Sequence, residues 1–349
     1  MKRRHMLGIL AASPLLPGAA RAQTATQLTA GPMSLLVAGP DGGEISRWGN
    51  AVALAISDAY PGTPNIVPRP IGGLDGVTGA NRLDALVVPD GRCAAILPGE
   101  ALIAYLTGDA RVHFDPTHWT PLLSGGASGV LMLRAPHGRP PELDTLRKMA
   151  PLRIGAARPQ SADLAALLAL ARLGIATAPI FGMYGSAAKT SAFAAGTVDA
   201  VFISGEGVPE DLPPLLASGG VPAFTIGTTG QDGTTAPDPL FPGVALATAL
   251  GPAVSPLLDS VYRAAAAAAR LDFLLVLPRL TNPAAVTQWR HAALQAAKSP
   301  ALSAAAQASS ISLQPAPVLA GALAALAAVP AEQPQLLAFM AKTYGWQPG

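Results

Sequence analysis

The sequence predicts an α/β fold, with helices packed against sheets. Short apolar runs alternate along the chain with stretches of helical periodicity, the pattern such a layered fold requires. Glycine-rich loops recur where those apolar runs end. Half of the 349 residues are apolar and only 13% are charged, so the chain can bury a sizeable core. The 36 Gly and 35 Pro point to many tight turns between elements.

Leu35-Leu36-Val37-Ala38 reads as the first strand and stops at Gly39-Pro40-Asp41-Gly42-Gly43. A helix follows from Glu44 to Ala59, because Trp48, Val52 and Ile56 recur at four-residue spacing along one face. Ile66-Val67 is a brief second strand, and 68–79 is a glycine-rich loop. Asn81 to Leu86 provides a helical turn or two. The turn Pro89-Asp90-Gly91 then feeds the strand Cys93 to Leu97, and Val130 to Leu133 is another strand.

A second set opens with the strand Arg153-Ile154-Gly155 and the loop Ala156 to Gln160. Ser161 is placed to cap a helix running to Leu173, apolar nearly all round and so expected to be buried. Strands are expected at Ile180-Phe181 and Val198 to Ile203, with a helix from Ser186 to Ala195 between them. Val244 to Leu250 reads as the returning strand. The remainder reads as helical: the alanine-rich Val254 to Leu271, Pro283 to Lys298 behind Asn282, and Pro300 to Ala308 behind Ser299. Val318 to Val329 is apolar but short of the roughly 20 residues that span a bilayer, so it reads as a core helix.

The first 22 residues read as a secretory leader. Lys2, Arg3 and Arg4 precede a mostly apolar stretch, and Ala20-Arg21-Ala22 sets small residues where a signal peptidase cuts, before Gln23. Pro14 and Pro17 interrupt the apolar run, which argues against a membrane anchor. Arg3-Arg4 also fits a twin-arginine signal, and no cysteine lies near the cut to carry a lipid. The leader holds four of the chain's 23 Lys and Arg; the remaining 19 face 21 Asp and Glu, a net of −2. Without a basic patch, nucleic acid is a poor partner. The single Cys93 cannot form an internal disulfide and reads as a core residue of its apolar run.

Several motifs resemble catalytic ones without meeting their requirements. Gly182 to Thr190 ends like a phosphate-binding loop, but Ala188 stands where Gly must precede Lys189. Gly126-Ala127-Ser128-Gly129 is one residue short of a hydrolase elbow. His113 and His118 are five apart, the wrong interval to share a helix face, and have no neighbouring Cys to support a metal site. His137 and His291 are isolated and expected to face solvent. No catalytic residue, metal or cofactor is expected.

Five loops remain at strand ends, the place where open α/β sheets bind ligands. They supply Asp41, Gly42 and Gly43; Gly72 and Gly73; Pro98, Gly99 and Glu100; Arg158, Gln160 and Ser161; and Ser204, Gly205 and Glu206. Amides at a helix start attract anions. A single such loop is better explained as a tight turn; their recurrence in two sets brings the binding reading level with that one and makes them the candidate ligand-binding residues.

Their order resembles the extracytoplasmic solute receptors of tripartite tricarboxylate transporters, the Bug family. Gly42-Gly43 ahead of a helix is similar to the family's first glycine pair, and Arg69-Pro70, Gly72-Gly73 and Pro89-Asp90-Gly91 to its next conserved run and turn. Phe114-Asp115, His118-Trp119 and Pro121-Leu122 are similar to a third segment. Tyr184-Gly185-Ser186-Ala187 and Gly196-Thr197-Val198-Asp199 are similar to a fourth.

The resemblance implies a type II periplasmic-binding-protein fold, two lobes joined by crossover strands with a ligand cleft between them. Crossovers are implied near Gly125 to Leu133 and Val244 to Leu250, which gives lobe 1 as 23–127 and 246–349 and lobe 2 as 128–245. It further implies a monomeric, non-enzymatic periplasmic receptor that closes around a small carboxylate and delivers it to membrane transporter subunits. The chain departs from the family at Ser46 and Asn50, where an aspartate and an arginine are usual. Asp41, Glu44, Glu100 and Glu206 place acids beside the cleft, which keeps a zwitterion or cationic amine open as ligand. A receptor presenting its ligand to a signalling protein, and an extracytoplasmic α/β enzyme, are the alternative readings.

Overall fold

The computed structural model describes residues 32–135, 138–230 and 234–346; the leader and His137 lie outside them. From the start come β1 (Met33–Val37), α1 (Glu44–Ala59), β2 (Ile66–Pro70), α2 (Val77–Leu86), β3 (Cys93–Leu97), α3 (Glu100–Leu106) and β4 (Thr120–Gly126). Next come β5 (Gly129–Arg134), α4 (Leu143–Lys148), β6 (Leu152–Gly155), α5 (Asp163–Arg172), β7 (Thr177–Ile180) and α6 (Ser186–Ala194). These lead to β8 (Ala200–Ser204), α7 (Val208–Ala217), β9 (Gly220–Thr225), β10 (Thr228–Thr229) and β11 (Thr235–Ala236). The chain ends with α8 (Pro256–Ala269), β12 (Leu271–Leu277), α9 (Pro283–Ala296), α10 (Pro300–Ala308), β13 (Ser312–Pro315), α11 (Ala316–Ala324) and α12 (Val329–Tyr344).

Two sheets organise these elements. One has six strands in the order β13-β4-β12-β3-β1-β2, the other five in the order β7-β6-β8-β5-β9, and β10 pairs with β11 alone. β1, β2 and β3 run parallel, as do β6, β7 and β8, each joined through a helix. The expected α/β class is therefore observed, in a two-lobed arrangement.

The central strands are buried because their sequences are apolar on both faces: Ala94 to Leu97 of β3 and Phe273 to Leu277 of β12 are sealed. α5 is buried nearly all round, as its composition predicts, and packs against the alanine-rich α8. Ala264 to Ala269 present little more than a methyl each, so the two helices approach closely. Each fully buried leucine of α5, such as Leu167 or Leu168, contributes roughly 1.5–3 kcal/mol. Asn282 caps α9 by accepting from the Ala284 N–H at 2.8 Å, with Pro283 in the first turn. Among the described residues no single helix is long and apolar enough to cross a membrane.

Four expectations need correction. Val244 to Leu250 is not a strand; one bridge, Thr225 to Leu246, is all it makes. The strand that rejoins the first sheet is β12, antiparallel to both β3 and β4. The C-terminal part is thus not wholly helical, since a seven-residue apolar run cannot be assigned by periodicity, and β13 is a short, mostly exposed strand that gives a weak signal. Ser161 does not cap α5, which begins at Asp163; its hydroxyl instead donates to Arg158 O at 2.8 Å. The loop expected at 68–79 is shorter, because β2 runs to Pro70 and α2 begins at Val77.

Candidate functional site

β4 and β5 belong to different sheets and only Ala127 and Ser128 lie between them, so the loops at the strand ends of both sheets are brought face to face. Gly125 permits this crossing: a Cβ there would stand 2.4 Å from the Phe273 ring. Ser128, inside the elbow-like motif, is buried and donates to Asp238 Oδ1 at 2.8 Å, so it is a structural hydroxyl. Buried Arg270 donates to Ile226 O at 2.9 Å and fastens α8 to the end of the second sheet.

Between the sheets lies a cavity of about 320 Å³. Pro40, Gly43, Glu44 and Ile45 line it from the end of β1 and the start of α1, and Pro98, Gly99, Glu100 and Ile103 from the end of β3 and α3. Ala162 joins them ahead of α5, and Ser204 and Gly205 from the end of β8. Because β12 runs antiparallel to β3, its first residues, Leu271 and Asp272, also reach this end of the sheet. Ala268, Ala269 and Leu74 complete the wall with apolar surface.

Of the candidate residues, Gly43, Pro98, Gly99, Glu100, Ser204 and Gly205 line this cavity. Glu206 and Arg158 stand beside it through their ion pairs with Arg47 and Glu100. Asp41, Gly42, Gly72, Gly73, Gln160 and Ser161 are not among the lining residues. Asp41 accepts from the Gly42 N–H at 3.0 Å, and Gly72 is exposed with nothing within 4 Å of a Cβ built there. Gly99 is required by backbone packing: a Cβ would sit 2.3 Å from the carbonyl oxygens of both Ala268 and Leu271.

Two groups of acids flank the cavity. In the first, Arg111 donates to Asp75 at 2.7 Å and to Asp109 at 2.6 Å, and Arg158 reaches Asp75 at 3.2 Å and Glu100 at 3.7 Å. Burial alone would raise the Asp75 carboxyl, but hydrogen bonds from Arg111 and the Val77 N–H hold it below the usual range. Arg111 likewise lowers Asp109, first through its hydrogen bonds. Burial raises Glu100, only partly offset by Arg158. Arg158, the cation expected to favour an anionic ligand, is thus already shared between two carboxylates.

The second group is Glu44, Glu206 and Asp272, whose carboxylate oxygens lie within 4.8 Å of one another. Arg47 pairs with Glu206 across the cleft. Neither Glu44 nor Asp272 has an ion-pair partner among the described residues. Asp272 Oδ1 accepts from the Glu206 N–H at 3.2 Å, while its Oδ2 is buried without a donor. Burial first, and then Glu44 and Glu206, push the Asp272 carboxyl well above the usual range. Glu44 keeps solvent access at the mouth, yet partial burial and Glu206 raise it too.

Asp272 escaped the sequence reading because it falls just past the helix expected from Val254 to Leu271, in a stretch where no strand is expected. Its signal was a lone acid opening the run Leu271 to Leu277. The other motifs are absorbed by structure. Lys189, in the phosphate-loop-like segment, pairs with the buried Asp163 and donates to Phe202 O at 3.0 Å. His113, His118 and His291 are exposed. Cys93 is half-buried rather than sealed in the core, and burial pushes its thiol up, away from the reactive thiolate.

Two sheets meeting at a strand-end cavity define a two-lobed α/β fold. No family model matches the sequence, and no curated protein does. Solved structures do match. A TctC solute-binding protein from Polaromonas superposes with TM-score 0.66 at 17% identity, over 87% of this chain and 98% of its own. MatC from Rhodopseudomonas palustris, with bound malate, superposes with TM-score 0.55 at 16% identity, over 87% and 97%. The periplasmic binding protein BugD follows with TM-score 0.54 at 14% identity, over 89% and 97%. The resemblance drawn from the motifs is borne out in the fold.

Proposed function

We propose that this protein is a periplasmic solute receptor, which captures a small, carboxylate-bearing polar molecule between its lobes and presents it to membrane transporter subunits. The observation that carries this reading is the cavity of about 320 Å³, walled by strand-end loops of both sheets. The TctC protein and MatC share its fold, and MatC holds malate. The lobes comprise 23–127 with 246–349, and 128–245, and they hinge about the crossover between β4 and β5. Residues 1–22 are the leader, so exported protein begins at Gln23. Backbone amides at the starts of α1 and α5 receive the anionic end of the solute. The protein acts as a monomer and catalyses nothing; Ser128 is bonded to Asp238 and Lys189 to Asp163, and burial holds the Cys93 thiol away from its thiolate.

Thermal melts of the exported protein against carboxylates, amino acids and amines test the proposal. A true ligand at a hundred times its Kd adds about 2.7 kcal/mol of stability. If no compound shifts the melt and the purified protein releases none, the receptor reading fails.

A further inference from the structure

We propose that the captured solute carries a primary ammonium group, seated on Glu44, Glu206 and Asp272. This rests on the receptor reading above and specifies the ligand of the same cleft. The acids come from three separate elements, the start of α1, the loop after β8 and the start of β12, which belong to both sheets. Their oxygens lie within 4.8 Å of one another, and apart from a carboxyl–carboxyl hydrogen bond to Glu44 inside the group, Asp272 Oδ2 is sealed from solvent with no donor from the rest of the protein among the described residues. A buried carboxylate oxygen without a donor is costly, and a donor arriving with the ligand removes that cost. An ammonium supplies three N–H donors in one group. Acceptors at about 2.8 Å around its nitrogen stand about 4.6 Å apart, within the span these acids offer.

The remaining wall favours an organic cation over a metal ion. Calcium takes six to eight oxygen ligands, whereas Leu74, Ile103, Ala268 and Leu271 offer alkyl contacts. The cations nearby are already engaged: Arg47 with Glu206, and Arg158 with Asp75 and Glu100. A dicarboxylate would therefore meet acids at this end of the cleft, with the nearby arginines already engaged. An amino acid meets them with its ammonium and leaves its carboxylate for the backbone amides.

Titration calorimetry on the full exported chain tests this. The probes are short primary amines, α- and ω-amino acids, mono-, di- and tricarboxylates of matching length, and CaCl2 or MgCl2 alone. Compounds that bind are expected to carry an ammonium, and Asp272→Asn and Glu206→Gln are each expected to weaken them at least about tenfold. Melts of both variants check that they fold, and two variants guard against the failure of one. Binding confined to carboxylates without an amine overturns the inference but leaves the receptor reading intact. Binding of either metal alone, lost in Asp272→Asn, overturns it in favour of a cation site. Amine binding unchanged in both folded variants overturns the placement. If no probe binds and mass spectrometry finds no released solute, the receptor reading itself fails, and this inference with it.

Discussion

The two acidic groups beside the cleft contain the same kind of side chain, yet Asp75 and Asp109 of the first behave oppositely to Asp272 of the second. Around Asp75 and Asp109, Arg111 supplies fitted donors, and both carboxyls sit below their ordinary range. Around Asp272, neighbouring charges are acidic and the only donor to its carboxylate among the described residues is the Glu206 N–H, so the carboxyl rises. Burial acts in the same direction on Asp75 and Asp272; the difference is whether a guanidinium is present. One group is neutralised from within, and the other is left to be neutralised by what enters the cleft.

Breaking the first group should have the largest effect. Arg111→Met takes the guanidinium from two buried carboxylates, leaving Asp75 only Arg158 and the Val77 N–H and Asp109 only the backbone N–H of residue 111, and is expected to cost roughly 2 kcal/mol, allowing for the half-exposed arginine. Urea unfolding measures it; an unchanged midpoint would show that the two acids find other donors. Next comes Asp272→Asn, which replaces a carboxyl that is costly to ionise with a neutral amide able to keep the hydrogen bond to Glu44. The unliganded variant is expected to gain about 1 kcal/mol in thermal melts while losing ligand. A loss of stability would mean that Asp272 serves the fold and not the cleft.

The pH dependence sharpens the same contrast. For Asp272 the folded carboxyl holds its proton above the ordinary value of 3.8, so its contribution is present at low pH and lost as pH rises through the elevated range. For Asp75 the sign reverses: its contribution is present above 3.8 and lost as pH falls through the lowered folded value. Unliganded wild type should therefore lose stability relative to Asp272→Asn as pH rises above about 4. Parallel curves would remove the case for a strained carboxyl. The smallest expected effect is that of Arg47→Gln. Its guanidinium is 61% exposed, so removing it should tighten an amine only about two- to threefold.

Much of the fold was legible because it rests on local periodicity. The apolar spacing of Trp48, Val52 and Ile56 places α1 from Glu44 to Ala59, as observed. The strands from Leu35, Cys93 and Val130 were equally readable, since each is a short apolar run between turns. The returning strand was not. Leu271 to Leu277 follows an alanine-rich helix without a turn signal, and only its pairing with β3 and β4 makes it a strand. That tertiary fact also hid Asp272. Glu100 and Glu206 were visible as acids in glycine-rich loops, but which arginine neutralises which acid depends on partners far apart in sequence. Arg158 meets Asp75, and Arg47 meets Glu206, across the cleft.

On this reading the cleft holds a small solute. Mass spectrometry of protein isolated gently from the exported fraction, first intact and then after release in organic solvent, tests it most directly. One bound molecule per chain is expected, small enough for the cavity of about 320 Å³ and bearing an ammonium. Asp272→Asn, prepared in the same way, is expected to come away without it. An intact mass equal to that of the bare chain, in protein that also binds none of the offered amines or carboxylates, would contradict it.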